Sequence, residues 1–164
     1  MRKIIVTEFA SLDGVIENPA WTFPYWNEQT ARFKAEETSA GEDMLLGRVT
    51  YEGFAQAWPN SKDEGAPYFN STRKYVVSNT LDKAEWNNSV IIKGDAITQI
   101  RQLRQQDGPN IVVHGSGKLV QTLIQNDLVD TVRLLVYPVV IGAGKRLFHE
   151  GTNAKLKLIE ARPI

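Results

Sequence analysis

The chain has 164 residues, a length that predicts one domain with a proper hydrophobic core. Its 19 Lys and Arg balance 19 Asp and Glu, which argues against a general nucleic-acid-binding protein, because such proteins show a basic excess or stripe. The absence of cysteine excludes disulfides, thiolate metal sites and a cysteine nucleophile. With no signal peptide and no long apolar run, we expect a cytoplasmic protein that neither binds nor spans a membrane.

The N-terminal segment predicts a strand, a turn and a loop. Residues 3–10 form the predicted strand, and Asp13 and Gly14 favour the turn through side-chain capping and tolerance of positive φ. Residues 15–26 are rich in aromatic side chains and broken by two prolines, which indicates a loop. Its rings either fill the edge of the core or form the wall of a pocket for a flat ring.

Two helices are predicted from their capping residues. Asn27 and Asp95 are candidate N-caps, because their side chains accept hydrogen bonds from free backbone N–H groups at a helix start. The first helix covers residues 28–39, and Gly41 ends it. The second has an apolar face and is closed by Gly108 and the proline after it.

Residues 43–58 predict a strand, a turn and a helix that Pro59 ends. Residues 44–46 are the strand, residues 47–50 the turn and residues 51–58 the helix. Thr50 is a plausible N-cap of that helix, and its hydroxyl could instead serve a phosphate oxygen. Arg48 could offer a planar fork of donors to a phosphate.

Residues 111–124 repeat this outline with a glycine turn at Gly115-Ser116-Gly117. Glycines let the backbone approach an anion closely, while a helix start supplies free N–H groups and partial positive charge. Lys118 could add a full charge. The alternative is a simple tight turn, because the complete dinucleotide fingerprint is absent. Two such turns in one small chain suit the two ends of a dinucleotide.

The remaining segments complete an α/β pattern. Residues 59–71 are polar and predict a surface loop, and Gly142 to Arg146 predict a flexible basic turn. Residues 155–160 alternate polar and apolar, as an edge or antiparallel strand would. Further strands are predicted at residues 73–78, 89–93 and 131–137. We therefore expect one domain over residues 1–164, with a mostly parallel sheet and an antiparallel C-terminal part.

Few side chains have a pattern that points to catalysis. Only two histidines occur and no carboxylate partners for a metal are evident, so we expect no metal site. His114, at a strand end beside the glycine turn, is either a locally bonded histidine or a catalytic one. Ser116 fails the nucleophile-elbow pattern, which makes a hydrolase a weak hypothesis. Asp13 and Glu28 are the candidate acids for proton handling.

Five segments together resemble the dihydrofolate-reductase-like superfamily, and within it the reductase domain at the C-terminus of RibD, of riboflavin biosynthesis. The resemblance covers nearly the whole chain and implies a three-layer fold, NADPH as cofactor and a pteridine- or pyrimidine-like substrate. The segments are VTEFASLDGVI at 6–16, LLGRVTYEGF at 45–54, KYVVSNT at 74–80, IVVHGSGKLVQTLI at 111–124 and YPVVIGAGKRLF at 137–148.

The resemblance also implies which residues contact the cofactor. Gly47, Arg48 and Thr50 match the turn beside the pyrophosphate, and Ser78 and Asn79 match the strand end near the adenosine 2′-phosphate. A loop beside the nicotinamide and a glycine turn under the pyrophosphate complete the implied site. They comprise Ala10, Leu12, Asp13 and Gly14 in the loop, and His114, Gly115, Ser116, Gly117, Lys118 and Leu119 at the turn.

Three departures narrow the hypothesis. Dihydrofolate reductases carry a carboxylate on the first helix where this chain has Gln29, with Glu28 adjacent, which argues against folate reduction. The riboflavin enzymes carry a serine- and lysine-rich phosphate segment where this chain has the aromatic residues 19–26. The family commonly continues beyond Ile164 into one more strand. Either that edge strand is missing here or a partner chain covers the edge, and we expect a homodimer.

The sequence thus predicts an NADPH-dependent reductase that transfers hydride to a C=N or C=O of a small heterocyclic substrate, most like 5-amino-6-(5-phosphoribosylamino)uracil reductase. Two alternatives stay open. One is a non-catalytic NADP(H)-binding module, and the other is a scaffold or interaction protein that binds no cofactor.

Overall fold

The computed structural model describes all residues from Met1 to Ile164. Six strands form one sheet in the order β4-β3-β2-β5-β1-β6, and every neighbouring pair is parallel. The strands are β1 (Ile4–Ser11), β2 (Asp43–Gly47), β3 (Lys74–Val77), β4 (Ser89–Ile92), β5 (Ile111–Val113) and β6 (Thr131–Tyr137). The helices are α1 (Glu28–Ser39), α2 (Arg48–Ala57), α3 (Ala66–Ser71), α4 (Ala96–Gln105) and α5 (Gly117–Gln125), with a 3-10 helix at Pro19–Tyr25.

Helices cover both faces of the sheet and give two apolar cores. On one face, α4 and α5 bury side chains such as Ile100 and Leu123 against the β1 and β5 residues Ile4, Val6 and Val113. On the other face, α2 and α3 pack against a second cluster, which contains Met44, Leu46, Tyr51, Phe69, Val76, Trp86 and Val112. Successive strand residues point to opposite faces, which is why almost every position in the central strands is buried.

Local capping signals position the helices as predicted. The Asn27 side chain accepts a hydrogen bond from the Thr30 N–H at 2.9 Å, and α1 then runs to Ser39. Gly41 follows with φ of 65°, a conformation that glycine adopts at little cost. Asp95 accepts from the Thr98 N–H at 3.1 Å at the start of α4.

The predicted antiparallel C-terminal strand is wrong. The sheet is entirely parallel, and residues 155–160 form no strand. Alternation is a local signal, but a strand needs a partner edge, and the tail does not pair with β6. It passes α1 instead, where the Arg162 guanidinium lies 5.6 Å from the Phe33 ring centre and 4.0 Å from the Glu36 carboxylate. An isolated antiparallel bridge joins Val15 and Arg146.

One helix start and two predicted loops also differ from the sequence predictions. The helix α2 begins at Arg48, so Gly47 and not Thr50 occupies the N-cap position. The predicted loop at 59–71 contains α3, which has a proline in its first turn and is held in the core by the buried Phe69 ring. The aromatic loop after β1 contains the 3-10 helix. None of the helices has the length and apolar character needed to span a membrane.

Candidate functional site

A crevice opens at the carboxyl ends of the central strands. The strands β1 and β5 pair only as far as Val6 and Val113, whereas β1 continues along β6 to Ser11. Beyond Val113 the chain leaves the sheet toward α5 on one face, while the helix after the neighbouring β2 packs on the other face. Ligands of open α/β sheets bind where adjacent strands send their helices to opposite faces. This geometry selects the crevice as the candidate site.

The two glycine turns meet at this crevice. The Gly47 N–H donates a hydrogen bond to the Gly115 carbonyl at 3.0 Å, because β2 and β5 are neighbours in the sheet. A methyl group on Gly47 would lie 2.6 Å from Ser116 Oγ, and one on Gly117 would lie 2.8 Å from Ile16 Cδ1. The turns therefore line one stretch of the crevice side by side, and glycine is required there for close approach.

Both helices that start at the crevice present free positive ends. Neither α2 nor α5 has a side-chain cap or an acidic residue in its first turn. Arg48 and Lys118 are exposed in these first turns. Arg48 pairs with Glu52 at 2.9 Å, an exposed pair that an anionic ligand could replace. Backbone N–H groups and two cations at converging helix starts suit a phosphate group. Leu119, one turn into α5, is buried in the core below.

Ser78 and Asn79 follow β3, at the same carboxyl edge of the sheet as the crevice but two strands away from β5. Ser78 Oγ accepts hydrogen bonds from the Thr80 and Leu81 N–H groups at 3.2 and 2.9 Å. Asn79 Oδ1 accepts from the Gly94 N–H at 2.7 Å and so ties the β3 end to the β4 end. Both side chains are thus engaged in local turn hydrogen bonds at the ends of β3 and β4.

Asp13 joins two loops at the other side of the crevice. Its carboxylate accepts from the Ser11 hydroxyl at 2.7 Å and from the Ile141 and Gly142 N–H groups at 3.1 and 2.8 Å. These hydrogen bonds lower the pKa of Asp13 well below its usual range. A carboxylate held ionised in this way positions the loop but is a poor proton donor at neutral pH.

The neighbours of Asp13 in the loop after β1 follow the strand that borders the crevice. Ala10 is buried in β1, Gly14 has φ of 80°, and Leu12 is 63% exposed while its N–H donates to the Val139 carbonyl at 2.8 Å. Glu28, the other predicted acid, is exposed in the first turn of α1.

His114 points to the face opposite α5. Its ring lies 5.9 and 5.6 Å from the Phe54 and Phe69 rings, and its Nε2 is buried without a hydrogen-bond partner. Burial, helped by the positive charge of Lys34, lowers the pKa of His114 well below its usual range, so the imidazole is neutral. It lies near Lys34 and Glu37 of α1.

Glu8 is the residue of this site that sequence reasoning missed. Its Oε1 is buried without a hydrogen-bond partner, and a methyl group on Gly115 would lie 3.5 Å from that atom and 3.0 Å from Thr50 Oγ1. Burial raises the pKa of Glu8 to about 8, against a smaller opposing effect of Lys34. The available signal was an acidic residue within an otherwise apolar central strand.

Aromatic rings gather beside the site, around the end of β6. Tyr137 makes edge contacts with Phe9, Trp21 and Tyr25, with ring centres 5.7 to 6.1 Å apart. A cavity of about 160 Å³ adjoins this cluster. It is formed by Tyr25, Asn27, Thr30, Leu135, Val136, Tyr137, Pro138 and Ile164. Of the rings in the aromatic segment, Tyr25 borders this cavity, while Phe23 and Trp26 are exposed and do not fill the edge of the core.

Comparison with known proteins gives a consistent family. The RibD C-terminal domain family matches residues 2–164. Two Bacillus subtilis (strain 168) proteins are similar: YwjB is 31% identical over 96% of this chain and 89% of its own length, and YyaP is 27% identical over 98% and 88%. Both are named as uncharacterized proteins.

Solved structures show the same fold. A putative riboflavin biosynthesis protein from Shewanella sp. PV-4 superposes with a TM-score of 0.65 at 20% identity, over 93% of this chain and 86% of that one. A dihydrofolate reductase from Enterococcus faecalis complexed with NADP(H) and RAB-propyl superposes with a TM-score of 0.62 at 16% identity, over 90% and 77%. The α/β sheet flanked by helices is thus dihydrofolate-reductase-like, and the chain belongs to the RibD C-terminal domain family.

Proposed function

We propose that this protein is an NADPH-dependent reductase that transfers hydride to a small heterocyclic substrate, most like the 5-amino-6-(5-phosphoribosylamino)uracil reductase of riboflavin biosynthesis. The observation that carries the proposal is the direct contact of the Gly47 and Gly115 turns between two uncapped helix starts. Family membership supports the reductase class. The complex of the similar dihydrofolate reductase with NADP(H) supports the choice of cofactor.

The residues at the crevice fit a dinucleotide phosphate. A Cβ on Gly47 would collide with Ser116, and Lys118 and the first N–H groups of α2 and α5 supply positive charge. Arg48 would add its charge by exchanging its Glu52 partner for the phosphate. Ser78 and Asn79 would border the adenosine end, and the loop from Ala10 to Gly14 the nicotinamide end. When bound, NADPH supplies the hydride, while the protein orients the reactants and excludes water.

The aromatic cluster at β6 supports a flat substrate. Phe9, Trp26 and Tyr137 offer ring edges and faces, and the adjoining cavity of about 160 Å³ has both apolar and polar walls. Such pockets hold drug-sized or smaller ring systems, with a few polar groups that fix their orientation. A pyrimidine- or pterin-like ring is the substrate class that we propose. The roles of Asp13 and Glu28 in proton transfer stay predictions, and the bonds of Asp13 favour a positioning role.

Cofactor binding is the experiment that tests the proposal. Isothermal titration calorimetry with NADPH and with NADH should give saturable binding. Arg48→Ala should weaken the affinity for NADPH about tenfold or more, because it removes a charge-assisted phosphate contact. Arg73→Ala is the matched control: Arg73 is exposed at the amino end of β3, the opposite edge of the sheet.

The outcomes separate the candidate functions. Binding that Arg48→Ala weakens, followed by NADPH oxidation in a screen of pyrimidines and pterins, supports the reductase. Tight binding without turnover of any of these substrates would favour a non-catalytic NADP(H)-binding module. No binding of either nucleotide would refute the proposal and leave a scaffold or interaction protein.

We also propose that the protein is a cytoplasmic homodimer. The outer edge of β6 is unpaired, and it carries Leu134 and Val136, which are 39% and 56% exposed. Unpaired strand edges are templates for pairing with another chain. Light scattering coupled to size-exclusion chromatography should give twice the monomer mass, and a monomer at micromolar concentration would contradict the expectation.

A further inference from the structure

A single carboxyl group lies where β1 and β5 separate. Glu8 follows the last β1–β5 pair, Val6 with Val113, by two residues, so its side chain projects on the same face as Ile4 and Val6. A Cβ built on Gly115 would lie 3.5 Å from Glu8 Oε1 and 3.0 Å from Thr50 Oγ1. Glu8 therefore lies beside the Gly115 turn, at the point where β1 and β5 separate.

The surroundings of Glu8 do not explain it as a structural residue. On the strand it pairs with Leu134 of β6, and Oε1 has no hydrogen-bond partner. Lys34 of α1 is the charged group whose field reaches it, and Lys34 is itself paired with Glu37. His114 follows on β5 and is neutral. A buried acid without a partner destabilises a fold, and such groups cluster at functional sites.

We propose that Glu8, which lies beside Gly115 where β1 and β5 separate, is the catalytic proton donor of this reductase. The inference rests on the proposed function and deepens it, because it assigns the proton that a reduction needs in addition to hydride.

The step balances as follows for a C=N substrate. The substrate carbon accepts the hydride from the reduced nicotinamide, and the π electron pair of the double bond moves onto nitrogen. That nitrogen takes the proton of the Glu8 carboxyl group. The substrate gains two hydrogens, one as the hydride that bound NADPH would supply and one as the proton of Glu8, which is left as a carboxylate. Water reprotonates Glu8 after the oxidised cofactor leaves.

The protonation states of the acids near the crevice agree with this assignment. With its pKa raised to about 8 by burial, Glu8 holds a proton at neutral pH. Asp13 is held ionised by its hydrogen bonds. When the environments of two carboxyl groups move their pKa values in opposite directions, the group with the raised pKa is the one that can donate a proton.

The test is proton release on cofactor binding, which requires no substrate. NADP⁺ carries a positive nicotinamide ring and NADPH a neutral one, so only NADP⁺ should favour the Glu8 carboxylate. Calorimetry at pH 7 in two buffers of different ionisation enthalpy gives the number of protons released. We expect more than about half a proton per NADP⁺ bound to the wild type and close to none per NADPH. Glu8→Gln should abolish this difference between the two nucleotides.

Controls keep the test decisive. Glu64→Gln removes an exposed carboxyl from the loop before α3 and should release protons as the wild type does. Glu8→Asp retains an acid and should keep part of the release. Two results would overturn the role of Glu8 while leaving the proposed function standing. One is equal proton release on NADP⁺ binding by Glu8→Gln and the wild type, and the other is no proton release by a wild type that binds both nucleotides. Failure of the wild type to bind either nucleotide would overturn the proposed function, and this inference with it.

Discussion

Replacing Glu8 by glutamine should stabilise the fold, and by an amount that depends on pH. The pKa of this carboxyl group is raised from 4.5 to about 8 by burial. Between these values the folded state binds more protons than the unfolded state, so the free energy of unfolding falls as pH rises. Below pH 4.5 Glu8 is protonated in both the folded and the unfolded state, so no charge is buried and the fold is not destabilised by it. Above pH 8 the destabilisation by the buried charge is fully present.

The magnitude follows from the size of the shift. One pKa unit corresponds to about 1.4 kcal/mol, so a glutamate that is still buried when it ionises would destabilise the fold by about 3 kcal/mol at pH 7. Glutamine occupies nearly the same volume without charge. The stability gap between Glu8→Gln and the wild type should therefore widen by about 3 kcal/mol from pH 5 to pH 8, a large share of the stability of a small domain.

Urea unfolding followed by tryptophan fluorescence at pH 5, 6, 7 and 8 measures this gap directly. Other groups titrate in both proteins, so the difference between the two isolates Glu8. Glu64→Gln should follow the wild type at every pH. A gap that stays constant from pH 5 to pH 8 would show that Glu8 is ionised throughout, and would refute the reasoning.

Two further changes test the crevice. Gly47→Ala places a methyl group 2.6 Å from Ser116 Oγ and should lower stability by about 1–3 kcal/mol and weaken NADPH binding, whereas Gly53→Ala in α2, with no atom within 4 Å, should raise stability by up to about 1 kcal/mol. Equal thermal shifts for the two variants would contradict the close contact of the turns. Asp13→Asn should loosen residues 139–147, seen as faster amide exchange there, because neutral asparagine accepts weaker hydrogen bonds from Ile141 and Gly142. Unchanged exchange would remove its positioning role.

Local signals account for the elements that could be predicted. The Asn27 and Asp95 side chains cap their helices with bonds to residues three positions ahead, so the evidence lay within one turn of chain. The strands at 73–78, 89–93 and 131–137 were located to within a residue or two, because apolar β-branched segments between turn residues suit few other structures.

The missed features depend on contacts between distant residues. The helix α3 lies in a polar segment and is held by Phe69 in a core that β2 and β3 complete. Residues 155–160 alternate as a strand does, yet they do not pair with the open edge of β6. Glu8 looked like one acid among 19, because nothing in its neighbours along the chain shows that its Oε1 is enclosed beside Gly115.

The sequence by itself determined the alternation of strands and helices, the two glycine turns and the family to which they belong, since each is a pattern of neighbouring residues. Only the tertiary structure decided that the turns touch, with Gly47 bonded to Gly115, and that Glu8 Oε1 is buried beside Gly115. The physical reason is the strand order, because β2, β5 and β1 are neighbours in the sheet but lie far apart in the chain. The crevice forms, and the pKa of Glu8 is raised, only when the sheet is assembled.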